Sequence, residues 1–222
     1  MERLPLVLEK EHVFVWLGTE RVFLDTGAPC SFHLSGAIDI GDNQFTVPAT
    51  HMGLDSDGLS QLVGVDTVGL LGVDILNRFD IIMDLPGVSI AFSKAPLMNN
   101  GCHVPLTYFM GIPICEVKLG ESHLSAFFDT GAQISYFEAT ALERFPREGN
   151  VTDFYPGIGR FDVETYRAEI EIGRTLFHLC SAPLPSVLGF VTDMAAARGI
   201  VGNELMRDRV IGYFPRRRVF AL

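Results

Sequence analysis

Val22-Phe23-Leu24-Asp25-Thr26-Gly27-Ala28 returns 104 residues later as Ala126-Phe127-Phe128-Asp129-Thr130-Gly131-Ala132. In both copies an apolar run leads into an acid, a hydroxyl and a glycine. A strand that ends this way sets a carboxylate on a tight loop, and the glycine admits neighbours that a Cβ would exclude. The flanks repeat as well. Val15-Trp16-Leu17-Gly18 stands before the first copy and Val117-Lys118-Leu119-Gly120 before the second, so each reads as strand, turn at glycine, strand, tripeptide. A given tripeptide is expected roughly 0.05–0.1 times in a chain of this size. Two copies with matched flanks therefore mark an internal duplication.

Two further pairs extend the repeat. Leu70-Leu71-Gly72-Val73-Asp74-Ile75-Leu76 matches Ile200-Val201-Gly202-Asn203-Glu204-Leu205-Met206, now 130 residues apart. Ile81-Ile82-Met83-Asp84-Leu85-Pro86 matches Val210-Ile211-Gly212-Tyr213-Phe214-Pro215, with an apolar strand after each proline. The wider spacing means that the second half holds 26 extra residues between its tripeptide and its matching glycine.

Composition narrows the function classes. The chain has 222 residues, 48% hydrophobic and 20% charged, which is ordinary for a globular protein and excludes fibrous or low-complexity character. No apolar run reaches the ~20 residues of a membrane helix, so no membrane partner is expected. The net charge is -10, and the first 100 residues carry 5 basic against 13 acidic side chains. An acidic chain without a basic stripe displaces phosphate counterions poorly, which argues against nucleic acid. Arg216-Arg217-Arg218 reads as a solvated group at a turn. The four cysteines show no C-x-x-C spacing, and the N-terminal stretch has no export signal; free thiols and a cytoplasmic location are expected. Cys30 reads as a small buried apolar residue. The histidines lack ligand spacing, so no metal and no cofactor are expected.

Most segments read as short strands with Gly, Pro or Asn turns: a mainly β protein. A helix is expected over Phe137 to Phe145, another over Met194 to Arg198, and short helical turns after Gly72 and Gly202. The N-terminal strand, the connection near 88–106 and Val219-Phe220-Ala221 are expected to pair. In segment 153–172, Pro156, Gly157 and Gly159 signal a turn, and Phe161, Val163 and Thr165 then alternate with polar residues, which predicts an exposed hairpin. The first half has no room for one, because Gly36 leads almost directly into Ala37-Ile38-Asp39-Ile40-Gly41-Asp42, the match of Glu169 to Arg174. Loop 54–66 is a second candidate cover for a cleft.

The duplicated Asp-Thr-Gly with a duplicated apolar-apolar-Gly segment resembles the aspartic proteases of the pepsin and retroviral clan. The resemblance spans roughly residues 12–92 and 112–220. It implies two homologous barrel-like lobes of the acid-protease fold, 1–98 and 99–222, with an active-site cleft between them. It implies Asp25 and Asp129 as the catalytic pair. Thr26 and Thr130 would cross-link their loops, supported by Gly27 and Gly131, with Gly72 and Gly202 alongside. The hairpin near 153–168 resembles a flap, with Gly157, Ile158 and Gly159 at its tip and Tyr155 in the part of the pepsin flap tyrosine. A single flap on the C-terminal half departs from pepsins, which carry theirs on the N-terminal lobe, and from retroviral dimers, which have two. The expected partner is a peptide or protein in extended form, cleaved by a monomer, since one chain supplies both aspartates. Ala28 and Ala132 match the retroviral type, where pepsins usually have Ser or Thr. The main alternative is a peptide-binding domain that kept the fold and lost turnover; a self-processing enzyme with one target is another.

Overall fold

The computed structural model describes residues 1–155 and 159–222. The protein is mainly β: 17 strands join one large mixed sheet, and Ala37–Ile40 with Asn43–Thr46 form a separate two-stranded one. No helix among the described residues is long and apolar enough to cross a membrane.

The two halves repeat their pairing residue for residue. In the first, Glu20–Leu24 runs parallel to Gly69–Leu71, with Phe23 opposite Leu70, and Phe32–His33 runs antiparallel to the same strand, with Phe32 opposite Leu70. In the second, Ser122–Phe128 runs parallel to Gly199–Val201, with Phe127 opposite Ile200, and Ser135–Phe137 runs antiparallel to it, with Tyr136 opposite Ile200. Short strands buried on both faces need continuous apolar runs, which Val22-Phe23-Leu24 and Ala126-Phe127-Phe128 supply.

The halves are joined by a sheet built from the third matched pair. Asp80–Asp84 lies antiparallel to Val210–Phe214, with Met83 opposite Ile211 and Ile82 opposite Gly212. Glu2–Glu9 and Ser89–Ser93 extend it on one side, and Val219–Ala221 and His103–Phe109 on the other, as the sequence predicted for the chain ends and the connection. The largest apolar cluster runs through this junction, from Leu6 and Val15 through Ile81 and Phe92 to Phe128, Tyr213 and Phe220. Each such side chain contributes about 1.5–3 kcal/mol when fully buried.

Helix placement corrects three expectations. Phe137 remains in a strand, opposite Pro183 and Gly199, so the helix expected from Phe137 shrinks to Ala139–Leu142. The helix expected over Met194 to Arg198 lies earlier, at Ser186–Met194. Pro185 precedes it, and the left-handed Ala196 (φ 52°) prevents its continuation. Segment 54–66 is no loop but contains the helix Ser56–Val63. Asp55 caps it by accepting from the Gly58 N–H at 2.8 Å, and left-handed Gly64 stops it. The short turns after Gly72 and Gly202 are present as Val73–Leu76 and Asn203–Met206.

The arginine cluster is also corrected. Arg216 and Arg217 are not merely solvated: both bond the carboxylate of Asp80, which is fully buried, at 2.9 and 2.5 Å. Asp80 also accepts from the Leu97 N–H at 3.0 Å. The extra residues of the second half form an antiparallel hairpin of Arg147–Tyr155 and Gly159–Ile172, closing with Tyr155 opposite Gly159. Its second arm runs on through Gly173 into Thr175–Pro183, with Ile172 opposite Thr175; the first half keeps only the matching end, Ile40 opposite Asn43.

Candidate active site

Both tripeptides leave their strands at the same point and meet. The Thr26 N–H donates to Thr130 Oγ1 at 3.0 Å, and the Thr130 N–H donates to Thr26 Oγ1 at 2.9 Å. Each hydroxyl passes its own proton across to the strand of the other half: Thr26 to the Phe128 carbonyl at 2.7 Å, Thr130 to the Leu24 carbonyl at 2.8 Å. All four bonds lie in a buried environment, where each polar group must be satisfied, so the geometry is tightly determined.

The glycines after the threonines let the loops close on each other. A Cβ on Gly131 would come within 2.6 Å of the Asp25 Cγ, and one on Gly27 would overlap the Asp129 carboxyl. Each carboxyl thus rests against the opposite glycine, and the two acids share the floor of one cavity. Asp25 Oδ1 accepts from the Gly27 N–H at 2.7 Å; Asp129 Oδ1 accepts from Gly131 at 2.9 Å and Ala132 at 3.2 Å.

Gly72 and Gly202 support the loops from outside. The backbone N–H groups of Asp25 and Asp129 each donate at 3.0 Å to the residue before these glycines, Leu71 and Val201. A Cβ on Gly72 would stand 2.7 Å from the Ala28 oxygen, and one on Gly202 2.8 Å from the Ala132 oxygen. Ser31 and Ser135, also 104 residues apart, complete the match: their hydroxyls accept from the Gly72 and Gly202 N–H groups at 2.8 and 3.1 Å. Sequence reasoning passed over these serines, yet the signal was present, since the repeat runs on through Ser31-Phe32 and Ser135-Tyr136.

Burial raises the proton affinity of both aspartates. Asp25 is held well above the usual carboxylate range by burial first and by the charge of Asp129 second. Asp129 is raised chiefly by burial, with the charge of Asp153 in the same direction, against hydrogen bonds from Asp25, Gly131 and Ala132. Two acids in this position hold one proton between them over a broad pH range.

The cavity walls differ in chemistry. Phe23, Phe32, Leu59 and Leu70 form an apolar wall from the first half. The second half presents Tyr136 and Ile200 with the hairpin residues Asp153, Phe154, Tyr155 and Phe161. Tyr155 therefore reaches the cavity, and burial together with the charges of Asp129 and Asp25 raises its hydroxyl pKa. Gly159 begins the second hairpin arm, while the expected tip residues Gly157 and Ile158 lie outside the described residues. The segment 51–63 borders the opposite side through His51, Met52, Leu54 and Leu59, so both candidate covers flank the cavity. Arg160 joins them by donating to the Gln61 and Leu62 carbonyls at 3.1 and 2.8 Å.

Three side chains near the site were missed by sequence reasoning: His12, Tyr136 and Asp153. Tyr136 follows Ser135 in the repeat and Asp153 opens the predicted hairpin segment, but only tertiary packing brings these two and His12 together here. Cys30 is partly exposed rather than buried, and its thiol pKa is raised by burial and by Asp74, which keeps it a thiol. Compared with known proteins, the chain matches no family model and no curated sequence.

Proposed function

We propose that the protein is an aspartic endopeptidase that hydrolyses peptide bonds with an activated water and works as a single chain. In this reading the two halves are homologous lobes of the acid-protease fold, and the cavity is the cleft between them. One observation carries the proposal: Asp25 and Asp129, from duplicated loops, share a buried cavity floor behind crossed threonine hydrogen bonds.

The chemistry follows from a shared proton. The ionised carboxyl draws a proton from a water between the two acids, and that water attacks the peptide carbonyl. The protonated carboxyl donates to the carbonyl oxygen as the tetrahedral centre forms, then the leaving amine takes a proton as the C–N bond breaks. The dyad is a standard case of like charges that cannot both ionise. The substrate lies extended between the apolar wall of the first half and the hairpin arm of the second, whose backbone is placed to bond it and to exclude water.

Digestion of a peptide library tests this directly. The native chain should cleave, and Asp25→Asn and Asp129→Asn should each lower kcat/KM by at least about 10³-fold, as loss of an acid–base partner does. Cleavage that survives either substitution, or tight peptide capture without cleavage between about pH 3 and 8, overturns the proposal.

A further inference from the structure

The duplication makes the surroundings of Asp25 and Asp129 alike, so the differences between the sides are informative. Residues 104 apart are Pro29 and Gln133, and Phe32 and Tyr136. Only the second-half members carry hydrogen-bonding side chains, and both use them on the hairpin. Gln133 Nε2 donates to the Thr152 carbonyl at 2.7 Å, and the Tyr136 hydroxyl donates to Asp153 Oδ2. The other oxygen, Asp153 Oδ1, accepts from the Phe154 N–H at 2.8 Å. Asp153 is 5% exposed, lines the same cavity as the two aspartates, and pairs with no cation among the described residues.

We propose that Asp153 acts on the paired aspartates as a positioning residue. Fixed by Tyr136 two residues before Tyr155 in the first hairpin arm, it sets a third carboxylate on Asp129's side and extends proton sharing between Asp25 and Asp129 toward neutral pH. The groups that face it are the Tyr136 hydroxyl from the adjoining strand, Gln133 and Asp129 from the loop before it, and the Phe154 N–H from its own strand. Burial raises the proton affinity of Asp153 itself, against hydrogen bonds from Tyr136, the Phe154 N–H and Gln133 that favour its charged form. Its charge raises the proton affinity of Asp129, and because Asp25 and Asp129 share their protons it opposes ionisation of the pair. The effect on turnover rests on the endopeptidase reading; the effect on proton sharing does not.

The experiment combines the pH dependence of kcat/KM with carboxyl-carbon NMR titration of the aspartates. It uses the native chain, Asp153→Asn, Asp153→Ser as a second way to remove the charge, and Val151→Ala as an uncharged change in the same arm. The charge-removing variants should move the alkaline limb and the upper aspartate titration down by about one pH unit, the scale of one nearby charge. Val151→Ala should move neither limb. If the native chain does not cleave but the upper titration still falls in the charge-removing variants, the endopeptidase reading fails and this inference stands. If the upper titration is unmoved in a folded charge-removing variant, the inference is overturned whether or not the chain cleaves.

Discussion

At the residue scale, small side chains beside the carboxyls tune the site. The Ala132 N–H already donates to Asp129 Oδ1 at 3.2 Å, and Ala132 belongs to the cavity lining. A hydroxyl there would add a second donor to the ionised form and favour it. Ala132→Ser is therefore expected to shift the acid limb of the pH–rate profile down by about 0.5–1 pH unit, the range of one added hydrogen bond; an unmoved limb would remove the argument. His12 acts on stability instead. Its ring packs edge-on against Phe23 and Phe154, and burial, with the Arg160 charge in the same direction, lowers its pKa to about 4. A histidine depressed from 6.5 stabilises the fold fully above pH 6.5, and that contribution is lost as the pH falls toward 4. The His12→Phe variant keeps the ring contacts and cannot charge. Relative to the native chain it should gain up to about 3 kcal/mol on going from pH 7.5 to pH 4. Urea melts at the two pH values measure this, and an equal difference at both refutes it.

At the element scale, the parts legible in sequence are those whose chemistry is local. The Asp-Thr-Gly loops, the turns after Gly72 and Gly202 and the hairpin arms each carry their own signature: apolar run, turn residue, alternation. The contact of Gly131 with the Asp25 carboxyl had no local trace; the resemblance implied only that the two aspartates pair. Phe137 shows the opposite failure, since helix-forming neighbours lost to strand pairing with Gly199. The helix Ser56–Val63 was legible but unread, because Asp55 and Gly64 are the cap residues such a helix needs. Asp80 and the arginines were illegible, being 136 and 137 residues apart. Their bonds fasten the turn at Pro215–Arg217 to the strand Asp80–Asp84, so Asp80→Ala removes the one carboxylate shared by two guanidinium groups and the Leu97 N–H. Breaking a fully buried pair costs about 3–5 kcal/mol, and with the arginine heads partly in solvent about 2–3 kcal/mol is expected. Denaturant unfolding reads this loss, and a change below about 0.5 kcal/mol would assign the cluster to the solvated surface after all.

At the scale of the whole molecule, duplication and cooperativity pull in different directions. Two halves with the same internal pairing suggest two units that melt separately. Against this, the central strands Asp80–Asp84 and Val210–Phe214 belong one to each half and pair along their length. The Phe128 ring, at the end of the strand leading to Asp129, lies 4.5 Å from Phe220 in the shared sheet. The threonine bonds then cross between the halves a second time, at the carbonyls of Leu24 and Phe128. Opening either half would expose Leu6, Phe92, Phe128 and Phe220 together, at about 1.5–3 kcal/mol for each side chain. The penalty for separating the halves is thus comparable to the whole stability of a domain this size. One transition is expected in scanning calorimetry, with equal calorimetric and van't Hoff enthalpies, and Asp80→Ala should lower its midpoint without splitting it. Two resolved transitions would mean that each half holds its own core, and that the paired aspartates meet only by docking of preformed units.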